Sequence, residues 1–350
     1  MDDERALEKL YPPSRVLIGP ALIGFVLILL HLAMPVLAPV LFAFFLVAMA
    51  ISPFRWLLAR GVRRGPALLL MIGVLLVGGV ALVLLALTSA RSLQAGLATY
   101  GEQIAGRVAD ASAALAQLGL ATEAMENDLT NLGVSLMAGF LSALVDIAGI
   151  ALISVVLVAF FLFEIDRFQA VLNSERVRSQ PFVGQIPSVA HTAVRYFGIR
   201  TRLNLITGAG VTLICLVLRI DYALLWGVAA FFLSYIPYIG LLTAMIPPAL
   251  LALAEFGWPQ ALLVVITIVG MNLAIENVVE PSYTGKRLQL SPTIVFLSFF
   301  FWGWLLGPVG ALLSMPITVL LLLVFQANEN TQWLARLIGN ESVSDMETAT

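Results

Sequence analysis

The stretch YALLWGVAAFFLSYIPYIGLLTAMIPPALLALA, residues 222–254, is apolar enough for a bilayer and is broken in its middle. Pro237 and Gly240 in YIPYIG divide it into pieces at 222–236 and 238–254. A helix of about 15 residues reaches only about 22 Å, less than the roughly 30 Å of hydrocarbon. The same pattern stands at two other places: Pro35 in MPVLAP separates 16–34 from 36–51, and Gly307 with Pro308 in WLLGPVG separates 292–306 from 308–325. Each pair is either a tight transmembrane hairpin or a re-entrant one that returns to the side it came from. Irregular backbone of this kind is tolerated at membrane depth only where protein or water covers it.

Outward from these breaks, longer apolar runs fill 66–88, 139–163, 203–218 and 259–280. Of the 350 residues, 60% are hydrophobic and 11% charged, and the mean hydropathy is +0.99. The expectation is an all-α polytopic membrane protein of about 7–10 hydrophobic segments. The net charge of −2 says nothing further. With 2 His and 1 Cys, a metal or haem centre of the usual ligand types is not expected. Cys215 lies in the run LITGAGVTLICLVL and reads as a small buried hydrophobe; His191, with no acid or thiol beside it, reads as structural. Neither a phosphate loop nor a nucleophile elbow occurs, so no enzyme, no cofactor and no nucleic-acid partner is expected. The mixed charges of MDDERALEK, ahead of a long apolar run without a small-residue cleavage site, argue against a cleaved signal peptide.

Charge orients the chain. Lys and Arg number three in 1–15, four in 52–65 and six in 164–202, whereas 89–138 holds two beside five acids. The positive-inside bias then makes 1–15 a cytoplasmic N-terminus, 16–88 N-terminal membrane helices and 89–138 an external amphipathic segment. By the same bias 139–163 is a membrane helix and 164–202 a cytoplasmic amphipathic segment whose bases face lipid headgroups. Residues 203–325 form the membrane core and 326–350 a cytoplasmic tail, so both termini are inside. In the external segment, Leu93, Leu97, Ile104, Val108, Leu115 and Leu118 mark the apolar face of one or two helices. On this count the two broken hairpins of the second half open to opposite faces, the hydropathy signature of an inverted repeat. Broken helices meeting near the midplane are where secondary transporters bind substrate; the plain alternative is that Gly and Pro are common in membrane helices.

Glu276 and Glu280 follow sixteen uncharged residues, 260–275. If the helix continues to Pro281, Asn272, Glu276 and Glu280 fall at i, i+4 and i+8 and form one polar stripe, with Asn277 beside it. Acids at a helix C-terminus oppose the macrodipole, so capping does not explain them. Two readings stand: a carboxylate carrying a proton or sodium ion along an aqueous path, or a cytoplasmic ion cluster with Lys286 and Arg287. Asp146, in SALVDIAGIALIS, is a second intramembrane acid, an interfacial residue or the hydrogen-bond partner of another helix.

Three blocks resemble the autoinducer-2 exporter family of bacterial inner-membrane transporters: DYALLWGVAAFFLSYIPYIG (221–240), IPPALLAL (246–253) and VVEPSYTGKRLQLSPTIVFLSFFFWGWLLGPVGALLSMPIT (278–318). The likeness extends more loosely over 15–325, and the last block is most similar to the quorum-signal exporters of the family. Gln289 departs from the pattern, many members having glycine there. The resemblance implies a proton- or cation-coupled secondary transporter assembled as a homo-oligomer, with a pentamer as the implied size. Its members include autoinducer-2 exporters and sodium(lithium)/proton antiporters.

Three functions follow as alternatives: an exporter of a small polar solute, a cation/proton antiporter, and a non-transporting scaffold that binds partners through 89–138. An exporter wants aromatic walls with hydroxyl donors, for which Tyr235, Tyr238, Trp302 and Trp304 are the candidates; sodium wants clustered oxygens, for which Asn272, Glu276 and Glu280 are. Substrate and ion are expected between the hairpins 222–254 and 292–325, near Pro237 and Gly240 on one side and Gly303, Gly307 and Gly310 on the other. Glu276 and Glu280 would stand at the inner mouth. Pro237 removes a donor and is expected to free a carbonyl one turn earlier, around Leu233.

Overall fold

A computed structural model describes residues 13–116, 123–172, 174–175, 186–236, 239–279, 291–326 and 331–338. The helices are α1 Pro13–Leu32, α2 Met34–Ala59, α3 Arg64–Ala116, α4 Glu123–Leu172, α5 Ile186–Val217, α6 Ala223–Leu233 and α7 Ile239–Phe256. They are followed by α8 Trp258–Ala274, which runs on as a π-helical turn Ile275–Val279, then α9 Pro292–Gln326 and α10 Gln332–Ile338. No described residue lies in a strand. Among the described residues, 7 helices are long and apolar enough to cross a membrane, and Gly19–Leu32 and Ala223–Leu233 are shorter apolar pieces. The all-α polytopic expectation holds, for the reason that backbone polar groups in lipid must be satisfied within the segment itself.

Helices α3 and α4 have 53 and 50 residues. They are about 80 and 75 Å long at 1.5 Å per residue, and pack together as one long hairpin. The fall in hydropathy near 88 and 139 is therefore not a helix end: the amphipathic stretch is a continuous extension of two spanning helices. Its apolar face does what the spacing asks, since Leu93, Ile104 and Val108 are buried. Leu118 lies outside the described residues. Helix α5 likewise runs unbroken through 202–203, so the basic stretch before that point and the apolar run after it share one rod.

Two packed regions divide the molecule. The first gathers Phe42 and Phe45 of α2, Leu162 of α4, and Leu312 and Leu313 of α9. In the second, the α3 extension (Leu93) meets α5 (Cys215), α6 (Trp226), α7 (Leu251) and α8 (Ile268). Cys215 is a buried free thiol in this second region. Between helices already in lipid, close packing rather than transfer from water supplies most of the attraction.

The three breaks are resolved differently. Pro35 sits in the first turn of α2, where its missing N–H would be unpaired anyway. In α9, Gly307 adopts φ 67 and ψ −154, which folds the helix into two arms, 292–306 and 308–326. A side chain is strained at that φ, and glycine is not. Between α6 and α7 the turn is closed by Ile236 N–H donating to Leu233 O (2.8 Å) and Gly240 N–H to Ile236 O (2.9 Å). This corrects the expectation of a freed carbonyl: the oxygen of Leu233 is occupied by the turn itself. A Cβ on residue 240 would run into that same carbonyl, so glycine is required for the approach.

The two hairpins point in opposite senses along α2. The tip at Gly307 meets Met34, where α2 starts, and its arms run down α2. The tip of α6–α7 meets the middle of α2, with Tyr235 edge-on to Phe45 (centroids 4.8 Å). Its base lies out on the α3 extension, where Trp258 Nε1, just after α7, donates to Arg107 O (3.1 Å). Helix α6 has 11 residues, about 16 Å, too short to cross the hydrocarbon by itself.

Candidate substrate cavity

Beneath the α6–α7 turn is a cavity of about 240 Å³. Its polar wall comes from Arg200, Asn204 and Thr207 of α5, Ser234 of the turn, Asn272 of α8 and Glu276 of the π-helical turn. Leu203, Leu241, Met245 and Val269 supply apolar surface around them. Arg200, Asn204 and Thr207 stand at i, i+4 and i+7, one face of a helix. Arg200 Nη2 donates to Ser234 O (2.9 Å), which ties the turn to α5. Thr207 Oγ1 donates back to Leu203 O (3.1 Å).

Two groups on this wall have no partner within the described protein. Asn204 is 2% exposed and Ser234 8%, yet Asn204 Nδ2 and Ser234 Oγ make no hydrogen bond. Leaving a buried donor unpaired costs about 1–3 kcal/mol, so such groups call for water or solute in the space they line. Glu276 brings a carboxylate and Asn272 an amide to the same space, the i, i+4 relation anticipated for the stripe. The helix does not reach Pro281 as a regular α-helix: it widens to π geometry over Ile275–Val279, a distortion that recurs at functional sites.

The remaining expected positions are distributed as follows. Glu280, Pro237 and Tyr238 lie outside the described residues. Asn277 is exposed and donates back to Leu273 O (2.8 Å). Tyr235 is 1% exposed, its hydroxyl bonded to Thr201 Oγ1 (2.6 Å); it braces the tip and does not line the cavity. Asp146 is exposed on α4 and lines neither this cavity nor the one between the hairpins. Gly303 and Gly310 let the arms of α9 close on each other: a Cβ on Gly303 would sit 3.5 Å from Ala311 Cβ, and one on Gly310 would clash with Trp302 O. Trp302 Nε1 donates to Thr318 Oγ1 (3.2 Å) across the arms, and Trp304 stacks on His31 (5.5 Å).

The space between the hairpins is itself a cavity of about 420 Å³, but an apolar one. Leu233, Ile236 and Pro247 face Phe299, Pro308 and Leu312 across it. Its hydroxyls belong to Ser135 and Thr243, which donate to Leu132 O (2.9 Å) and Ile239 O (2.9 Å) of their own helices. The polar groups thus converge from α5, α8 with its π-helical turn, and Ser234 of the α6–α7 turn, on the smaller cavity. Ile236 lines both cavities and separates them. Sequence reasoning missed Arg200, Asn204, Thr207 and Ser234, although FGIRTRLNLIT carries the first three at helical spacing.

A model of the AI-2E family of transporters matches residues 20–330. The chain belongs to that family. A Haemophilus influenzae protein named "Putative transport protein" is 31% identical over 335 residues, 93% of this chain and 96% of its own. YhhT of Escherichia coli K12, named in the same way, is 29% identical over 322 residues, covering 89% and 90%. The AI-2 transport protein TqsA of Escherichia coli K12 is 32% identical over 210 residues, 60% of this chain and 61% of its own. Membership of the AI-2E family together with the spanning helices makes this a multi-pass membrane transporter.

Proposed function

We propose that the protein is a secondary transporter of the bacterial inner membrane that exports a small polar solute of the autoinducer-2 type, coupled to a proton or cation gradient. The observation that carries this reading is the cavity at Asn204, Ser234, Asn272 and Glu276: buried donors without a partner among the described residues, and one carboxylate, facing a single space. Its volume, about 240 Å³, is below the ~300–1,000 Å³ of drug-sized pockets and suits a small solute. Arg200, Asn204 and Ser234 supply donors to the oxygens of such a molecule, and Glu276 carries the coupling ion. The route runs through the α6–α7 turn, where displacement of Ile236 joins the polar cavity to the inter-hairpin space. Both termini are cytoplasmic in this scheme, and the chain assembles as a homo-oligomer, a pentamer on the family likeness.

A second reading, a sodium(lithium)/proton antiporter, draws support from the oxygens of Thr207, Ser234, Asn272 and Glu276 on one wall. Reconstitution in liposomes separates the two. Solute-driven proton flux with the furanone-derived signal supports export, and sodium-driven proton flux without it supports antiport. Movement of neither returns the chain to a scaffold role.

A further inference from the structure

Away from the transport cavity, α2 and α5 enclose a third space of about 300 Å³, lined by Ser52, Arg195, Gly198, Ile199 and Arg202. Arg195 and Arg202 are two helical turns apart, so both guanidinium groups leave the same face of α5, with Gly198 between them. The helices meet there closely: a Cβ on Gly198 would lie 2.7 Å from Ser52 Oγ. Two cations and a hydroxyl therefore border one space, and no carboxylate among the described residues lines it. Guanidinium forks match phosphate oxygens in geometry as well as charge.

The same face of α5 changes character beyond Arg202. Leu205, Ala209, Leu213 and Leu216 continue it at helical spacing and are all exposed. From Arg202 to Leu216 the helix rises about 21 Å, enough to carry an acyl chain through one leaflet. A basic, open head space followed by an exposed apolar stripe on a membrane-crossing helix matches one ligand chemistry in both parts.

We propose that the α2–α5 groove binds an anionic phospholipid, its phosphate between Arg195, Arg202 and the hydroxyl of Ser52, and an acyl chain along the apolar stripe of α5. The site stands apart from the transport reading, although α5 also bears Arg200, Asn204 and Thr207, so occupancy steadies the helix that forms one wall of the solute cavity.

The test is native mass spectrometry of the full chain released from detergent, with phosphatidylglycerol and phosphatidylcholine of matched acyl chains as probes. Wild type should retain phosphatidylglycerol in clear preference. The double variant Arg195→Ala/Arg202→Ala should lower that retention about thirtyfold, roughly five- to sixfold per arginine, while its elution and lipid-free melting stay unchanged. If the double variant does not fold, Arg195→Gln and Arg202→Gln are measured singly, each with about a fivefold loss expected. Equal retention of the two lipids, or retention that the substitutions leave unchanged, would overturn the proposal. Displacement of phosphatidylglycerol by millimolar inorganic phosphate would overturn it too, in favour of a soluble anion. None of these readouts depends on flux, so failure here leaves the transport reading where it was.

Discussion

Gly307 turns α9 back on itself among packed side chains, with only an apolar space beside it at Pro308: Met34 occupies the tip, Trp302 bonds to Thr318 between the arms, and His31 stacks on Trp304. The turn at Ser234–Ile236 is anchored on one side by Tyr235, wedged among Phe45, Phe231 and Thr201, and is open on the other to unpaired donors and a carboxylate. Both hairpins carry the same mark in sequence, a Gly/Pro interruption of an apolar run. One interruption is closed by packed side chains beside an apolar space, and the other borders a polar one. A broken helix marks where backbone leaves the regular ladder; the side chains facing the break decide whether protein or solute completes it.

The sharpest way to break this contrast is at the glycines. In Gly240→Val the new side chain meets the carbonyl of Leu233, a backbone atom that cannot rotate away. The expected loss is at or above the upper end of the ~1–3 kcal/mol typical of overpacking, seen as loss of monodisperse folded protein in detergent. Gly310→Ala meets Trp302 O and Leu306 in the same manner and should lower the melting temperature without changing flux per folded molecule. Flux lost from a fully folded Gly310→Ala protein would show that the close approach of the two α9 arms, and not only the α9 side chains lining the inter-hairpin space, bears on transport.

Next in size is Glu276→Gln, which keeps the shape of the side chain and removes the titratable oxygen. If Glu276 carries the ion, coupled flux should fall by roughly the 5–150-fold typical of coupling between two bound ligands, with folded yield unchanged. Glu280→Gln is the matched measurement. Unchanged flux and coupling in both would leave the stripe a charge cluster and remove the site with it. Asn204→Leu moves stability and activity in opposite directions. Removing a buried donor without a protein partner should raise stability by about 1 kcal/mol, read as a higher melting temperature, while solute flux declines. A fall in both would mean that Asn204 braces the fold.

How much of this was legible beforehand follows the physics of each signal. The α-helical class, the broken hairpins and the pairing of Asn272 with Glu276 rest on local rules, namely apolar run length, Gly/Pro breaks and i, i+4 spacing, and these survive folding. Arg200, Asn204 and Thr207 were split by a boundary: counting charges assigned the stretch up to 202 to the cytoplasm, although one helix carries Arg200 before that point and Asn204 and Thr207 after it on one face. Ser234 offered no local cue at all, because its burial depends on where the tip of α6–α7 docks. The carbonyl of Leu233 shows the converse, a local rule outcompeted by a tight turn that took up the freed acceptor. The apolar lining of the inter-hairpin space was beyond reach for a further reason: which faces of α3 and α4 close it is a matter of packing between elements far apart in sequence.

The smallest expected effect is the most informative about the scaffold. Trp302→Phe keeps an aromatic ring between the arms of α9 and deletes the indole N–H that donates to Thr318 Oγ1. Thr318 is 5% exposed, but its hydroxyl sits on a helix and can turn to the carbonyl four residues back, so it need not remain unpaired. The net loss should then lie near the lower end of the ~0.5–1.5 kcal/mol of an ordinary hydrogen bond. That corresponds to a melting temperature about 1 °C lower, with flux per folded molecule unaltered. If flux drops well beyond the change in folded yield, Trp302 is acting on the solute. The two hairpins would then share the site, with the aromatic wall of Trp302 and Trp304 on one side and the donors of Asn204 and Ser234 on the other.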